Sequence, residues 1–255
     1  MINIDIIRSR FIRILGNVVK LISVPFHKIF PNKRFTLPYH KKPLIKTNKQ
    51  TKVPRIMWQT NFTNKVTLPL YVNYLFNRFM APSYEYRFMD NMAAEKYIGE
   101  NHPEALESYQ KLTVGAAKAD LWRLLAIYKY GGIYIDIDGC LVTRPEKFLK
   151  NKDEMFIKAK QLYFTNYFFA AAPNNKKIKW YIDTDLKNIE GGRSDLGVWY
   201  LTGPGVMEKI MNDENTEWRH NRETCIHGAF TNDYFQYIDK PSSHWTKIAN
   251  KDILN

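Results

Sequence analysis

Asp136 and Asp138 stand two residues apart at the end of the run Tyr130-Gly131-Gly132-Ile133-Tyr134-Ile135-Asp136-Ile137-Asp138-Gly139. Side chains at i and i+2 of a strand share a face, so the spacing predicts two carboxylates aimed at one point at the end of an apolar strand, residues 133–138. Like charges in that position are costly unless a cation holds them, and hard divalent ions prefer such oxygen ligands. The chemistry this predicts is a bound Mg²⁺ or Mn²⁺ and, through it, a phosphate.

Asp120 and Arg123 form a second pair upstream, within one turn of each other on a predicted helix over 114–130. A wheel sets them about 60° apart on the flank of a core stripe made by Leu121, Leu124, Leu125 and Tyr128. Taken by itself the pair reads as an i,i+3 ion pair on a half-exposed helix. Its flank, however, runs through the Gly131-Gly132 turn, where the helix is expected to stop, straight into the aspartate strand.

The elements that would position these groups alternate. Strands are predicted at 53–58, 84–89, 133–138, 155–160, 163–172 and 198–202, and helices at 65–79, 92–99, 103–111, 114–130, 174–190 and 206–212. This order predicts an α/β fold with a single open mixed sheet flanked by helices, Rossmann-like, in which ligands collect at the C-terminal ends of strands. Trp58, Asp90 and the two aspartates fall at such ends. With 255 residues, 45% of them hydrophobic, the chain is long enough for one sizeable core. Its two cysteines, Cys140 and Cys225, have no metal-ligand spacing and suit a reducing, cytoplasmic compartment.

The net charge of +13 is unevenly placed. Residues 1–52 hold twelve Lys and Arg against the single acid Asp5, whereas the remaining residues hold 26 basic against 24 acidic side chains. The body is therefore nearly neutral and carries no nucleic-acid motif, so no nucleic-acid partner is expected. Within 1–30, Ile7, Phe11, Ile14, Leu15, Val18 and Ile22 follow helical spacing, while Arg10, Arg13, Asn17 and Lys20 gather on the other side. Arg13 and Lys20 interrupt the apolar run too early for a spanning helix, which needs about 20 apolar residues. Two outcomes stay open for this basic amphipathic helix: contact with an anionic membrane from its inner face, as a peripheral protein, or packing of the apolar stripe on the domain. Residues 31–52, with three prolines and seven basic residues, are expected to be an extended linker to a domain over 53–255.

The runs Ala116-Ala117-Lys118-Ala119-Asp120-Leu121-Trp122-Arg123 and Tyr130-Gly131-Gly132-Ile133-Tyr134-Ile135-Asp136-Ile137-Asp138 together resemble the signature of sugar transferases with a DXD motif, and are most similar to glycosyltransferase family 32. The resemblance covers roughly 53–247 and leaves the basic segment aside. It implies a GT-A fold, a UDP- or GDP-sugar donor, a divalent cation (Mn²⁺ or Mg²⁺), a glycan or lipid-linked acceptor in polysaccharide or oligosaccharide synthesis, and retention of anomeric configuration. Carried over by position, it implies that Asp138 ligates the metal and Asp136 contacts the ribose and the metal shell. Asp120 and Arg123 would hold the donor sugar, Trp58 with the adjacent Gln59 would lie against the base, and Asn166 would face the transferred sugar. Thr202-Gly203-Pro204 matches a further family element. Ser243 and Trp245 resemble a loop that closes on the diphosphate, with His244 between them as a metal ligand.

The chemistry is consistent with that assignment. Departure of a nucleoside diphosphate builds negative charge that a divalent ion stabilises, and backbone donors at the helix start Gly203–Val206 are expected to assist. No further carboxylate stands out as a covalent nucleophile, which favours front-face attack by the acceptor hydroxyl. Two rivals use the same residues. Asp136 and Asp138, with Phe164-Thr165-Asn166 downstream, also imitate a haloacid-dehalogenase-type phosphatase, in which Asp136 would attack phosphorus. That enzyme needs a later acidic pair, and none follows a strand with suitable spacing. A catalytically inactive sugar- or membrane-binding module is the other rival, and it leaves the paired carboxylates as an uncompensated cost.

Overall fold

The computed structural model describes residues 3–159, 163–240 and 244–255. The chain opens with a long helix, α1 (Ile4–Ile29), followed by short strands β1 (Phe35–Thr36) and β2 (His40–Lys41), then β3 (Ile56–Thr60), β4 (Lys65–Val66), α2 (Leu68–Met80) and β5 (Glu85–Met89). Three helices, α3 (Asn91–Asn101), α4 (Pro103–Lys111) and α5 (Gly115–Tyr130), lead to β6 (Gly132–Ile135) and β7 (Gly139–Leu141). After the one-turn α6 (Pro145–Phe148) come β8 (Glu154–Ala159), β9 (Tyr163–Ala171) and α7 (Lys176–Glu190). Short pieces complete the chain: α8 (Gly197–Leu201), α9 (Pro204–Met207), β10 (Trp218–His220), α10 (Asn221–Thr224), β11 (Cys225–His227) and α11 (Asp233–Tyr237).

Seven strands form one mixed sheet in the order β10-β8-β9-β6-β3-β5-β2. β3 pairs in parallel with both β5 and β6, whereas β9 runs antiparallel to β6 and β8. The chain leaves β3 through α2 to reach β5 on one side, then crosses back through α3–α5 to β6 on the other. The strand order thus reverses beside β3 and β6, where open α/β sheets leave a crevice for ligands. Alternation sorts the strand residues between two cores. Trp58, Tyr134 and Phe169 face the α5 and α7 side, while Met57, Ile133, Ile135 and Phe168 face the α2 side.

Two glycines make the helix-to-strand turn. Gly131 caps α5 at φ +64° and Gly132 follows at φ +113°, where an added Cβ would lie 2.5 Å from the Ile56 carbonyl oxygen. Several boundaries differ from the sequence expectation. β6 stops at Ile135 instead of 138, and the expected strand at 198–202 is helical, with Val198 and Leu201 buried one turn apart. Its β-branched and aromatic residues read as a strand, but the segment packs as a helical turn against α5, α7 and α9. The expected helix at 206–212 is the four-residue α9, in which Pro204 has no N–H to offer and the Val206 N–H bonds the Gly203 carbonyl. Lys160, the last residue of an expected strand, lies outside the described residues.

Residues 31–52 are not merely a linker. β2 adds an antiparallel edge to β5, β1 pairs with β4, and Leu37 between them is fully buried. The long helix α1 packs on the body by a face of mostly small side chains, with Ile12 buried among them. Ser9, Ile12, Gly16, Ser23 and His27 are buried, and Gly16 approaches so closely that an added Cβ would lie 2.0 Å from the Ala229 carbonyl oxygen. The alternative in which the apolar stripe packs on the domain is therefore overturned.

Candidate active site

The aspartates meet through a turn, not along a strand face. Gly139 N–H bonds the Asp136 carbonyl at 2.8 Å, folding Asp136–Gly139 back so that β7 leaves the sheet and pairs antiparallel with β11. That pairing sets His227 opposite Gly139, and the imidazole Nε2 lies 2.9 Å from Asp138 Oδ2. Asp136, Asp138 and His227 each offer a ligand atom, all within 4.8 Å of one another. Burial lowers the His227 pKa, but the charge and hydrogen bond of Asp138 outweigh it and hold the ring at about 9.

Arg123 ties this turn to α5. Its guanidinium reaches Asp120 Oδ1 at 2.9 Å and Asp136 Oδ1 at 3.0 Å, donates to the carbonyls of Ala119 and Asn166, and lies 4.4 Å from the centre of the Tyr134 ring. Asp120 is held on every side: Asn166 Nδ2 donates to one oxygen at 2.9 Å and Thr202 Oγ1 to the other at 3.2 Å. Burial raises the Asp120 pKa to about 7, against the pull of Arg123. Asp136 is likewise raised, chiefly by burial, with Arg123 opposing and Asp138 adding to the rise. Tyr134 donates its hydroxyl proton to Asp136 at 2.6 Å, and Gln59 donates to the Asp136 carbonyl at 3.1 Å.

A cleft of about 760 Å³ opens over these groups. Asp120, Arg123, Asp136, Asp138, Asn166, Gly203, His227, His244 and Trp245 all line it, and Arg13, Lys118 and Arg222 add positive charge at its walls. Three of the family-implied placements need correction. Trp58 is fully buried, its indole N–H bonded to the Gly131 carbonyl and its ring packed on Trp122, so it supports the Gly-Gly turn and does not reach a base. Gln59 is also buried and acts on the backbone of Asp136. His244 caps its own turn through Thr246 and stacks on Trp245, while the imidazole beside the aspartates belongs to His227. Ser243 lies outside the described residues.

A divalent ion suits the donor set. Asp138 Oδ1 is buried with no hydrogen-bond partner among the described residues, an arrangement that is costly unless a ligand completes it. Three carboxylates here face one guanidinium and one imidazolium; a dication with neutral imidazole would balance the charge. Two oxygens and one imidazole are donors that Mn²⁺ and Mg²⁺ accept. Sequence reasoning missed His227 because it sits alone after a two-residue apolar run, and only the β7·β11 pairing brings it across.

Residues 40–163 match the family described as glycosyltransferase sugar-binding region containing DXD motif. Over 97 residues the chain is 31% identical to inositol phosphoceramide mannosyltransferase 3 of Schizosaccharomyces pombe, covering 38% of this chain and 27% of that protein. It is 23% identical over 227 residues to the initiation-specific alpha-1,6-mannosyltransferase of the same organism, covering 73% of this chain and 53% of that one. The chain thus spans about a quarter and about half the length of these two relatives. Among solved structures, the PaToxG glycosyltransferase superposes with a TM-score of 0.48 at 16% identity, covering 82% of this chain and 80% of that chain.

Proposed function

We propose that this chain, whose residues 40–163 match the DXD sugar-binding region, is a glycosyltransferase that carries out a metal-dependent, retaining transfer of a sugar from a nucleotide-sugar donor to a glycan or lipid-linked acceptor on a GT-A fold. The observation that carries the finer reading is the grouping of Asp136, Asp138 and His227, with a partnerless Asp138 oxygen, beside the Asp120–Arg123–Asn166 network in one cleft. The two relatives' names support a hexose donor, mannose first among those to test.

Asp136, Asp138 and His227 would hold a divalent ion, which supplies Lewis-acid stabilisation of the departing diphosphate. Arg123 ties Asp136 to Asp120, and the cationic walls at Lys118 and Arg222 suit the diphosphate charge. Asp120 and Asn166 present oxygen and amide groups to sugar hydroxyls from a rigid, desolvated floor. Both Asp120 oxygens are already hydrogen-bonded, which argues against a covalent sugar ester on that group. The acceptor oxygen then forms the new bond to the anomeric carbon on the face the diphosphate leaves. The carbon–phosphate-oxygen bond breaks, and the acceptor proton passes to the leaving oxygen. Asp136 is engaged by both Tyr134 and Arg123, which does not suit the in-line nucleophile of a phosphatase.

The test is release of nucleotide from UDP-glucose and GDP-mannose with Mn²⁺ by the intact chain and by Asp138→Asn. We expect a loss of about a hundredfold or more in the variant, the scale of removing one preorganised electrostatic contact. Unchanged turnover in the variant, or after chelation with EDTA, would sink the metal-dependent reading. A melting screen of UDP, GDP and CMP would identify the base, because selective binding raises the melting temperature by mass action.

A further inference from the structure

The outer face of α1 is left uncovered by the described residues. Ile7, Phe11, Ile14, Val18, Leu21 and Ile22 are all exposed, Phe11 to 66% and Leu21 to 74%, and at 100° per residue they lie opposite the row of Ser9, Ile12, Gly16 and Ser23 that seats the helix. The neighbouring α2 leaves Leu75 and Phe79 exposed one turn apart. Isolated exposed apolar residues are ordinary, but a row along a 26-residue helix is not. The helix is fastened in this orientation at both ends. Asp5 pairs with Arg219 at 3.2 Å, and His27 Nε2 accepts the Leu68 N–H at 3.1 Å. It therefore cannot roll its apolar side inward without breaking both contacts.

Charge says what covers this face. Arg10, Arg13, Asn17 and Lys20 run along one flank of the apolar row, and Lys28 continues it. Near the other flank, Arg8, Arg144 and Lys147 ring a small cavity of about 290 Å³. An apolar strip between two basic margins matches a bilayer interface, with acyl chains against the strip and anionic headgroups at the margins. A second copy of the chain would bring two segments of like charge together, since residues 1–52 carry twelve basic side chains and one acid. No helix among the described residues is long and apolar enough to cross a membrane, so the helix lies along the surface instead of spanning it.

We infer that α1, rigidly attached to the body, is a docking surface that lays the protein on an anionic lipid bilayer through its outward apolar row. Arg13 belongs both to the basic margin and to the wall of the cleft, so docking sets the mouth of the cleft at headgroup level. The inference does not depend on the reaction proposed above, and its test measures lipid binding alone.

The full chain is floated with vesicles of phosphatidylcholine plus phosphatidylglycerol, and with phosphatidylcholine alone, beside the double variant Phe11→Asp/Leu21→Asp. Both positions are exposed, so the variant should keep its melting temperature. We expect wild type to float with the mixed vesicles, more weakly as salt is added, and the variant's binding constant to fall about a hundredfold or more, on the scale of losing two buried apolar side chains. Arg10→Gln/Lys28→Gln should weaken flotation with mixed vesicles and leave phosphatidylcholine binding unchanged. The inference is overturned if wild type does not float, if both variants float as wild type does, or if the lipid charge makes no difference. It is equally overturned if Phe11→Asp/Leu21→Asp instead converts a dimer to a monomer without any lipid binding by the parent.

Discussion

Arg123 is the residue on which most of the site depends, because one guanidinium spans two carboxylates from different elements. Arg123→Met leaves Asp120 and Asp136 without their cation and should lower unfolding free energy by about 3–5 kcal/mol in urea titration, the usual cost of orphaning a buried charge. Arg123→Lys keeps the charge but cannot span both partners, so it should retain more stability than Met while losing most of the activity. Asp185 offers a different test, away from the proposed metal ligands. It is fully buried on α7, neither of its oxygens has a hydrogen-bond partner among the described residues, and burial pushes its pKa well above the ordinary carboxylate range. A raised folded-state pKa means that the unfolded chain releases this proton first as pH rises. Stability is then greatest below the unfolded value, near 3.8, and falls from there upward. Asp185→Asn should flatten the fall in melting temperature between acidic and neutral pH; an unchanged slope would mean that Asp185 is ionised in the fold.

Among the elements, the turn from α5 into β6 sets the position of the aspartates. Gly132→Ala adds a Cβ at φ +113° and 2.5 Å from a carbonyl oxygen, so we expect a loss of about 2–4 kcal/mol and a clear drop in melting temperature. Gly192 is the control, with φ +64° but nothing within 4 Å of an added Cβ, and Gly192→Ala should cost only about 1 kcal/mol. This turn was legible from the amino-acid order, since a core stripe at Leu121, Leu124 and Leu125 running into two glycines is a helix ending. β6 and β9 were legible too, as largely apolar runs of strand length. Val198–Leu201 was not, because β propensity describes a pleated, half-buried surface and the residues find that environment against helices instead. The seat of α1 was hidden for a converse reason. Hydrophobic periodicity identifies the greasier face, and this helix attaches by Ser9, Gly16 and Ser23, whose small size permits close approach.

At the scale of the whole molecule, α1 and the candidate metal centre share a wall. Ile12 packs in one cluster with Cys140, Val142, Ile226, Ala229 and Phe230, which come from β7 and the residue after it, β11, and the segment after His227. Gly16→Leu should push α1 off Ala229 and loosen the hairpin that carries Asp138 and His227. The expected readouts are faster proteolysis after α1 and weaker Mn²⁺ stabilisation, measured in the same preparation. Retained Mn²⁺ response with α1 displaced would show that the centre stands without its outer support. His227 was unreadable from the sequence at this scale too, since its partners are some ninety positions earlier and only sheet pairing joins them.

That separation gives the β7·β11 pairing a mechanical meaning. An ion gripped by Asp136, Asp138 and His227 would tie a loop of about ninety residues, including β8, β9 and α7, into a closed ring. Cross-linking a loop of that size is worth on the order of 4 kcal/mol in the chain-entropy picture, and a metal clip secures only the part its affinity can hold. The ion would then act as a reversible buckle on one side of the sheet, and chelation would lengthen the free tether of the unfolded chain as well as empty the cleft.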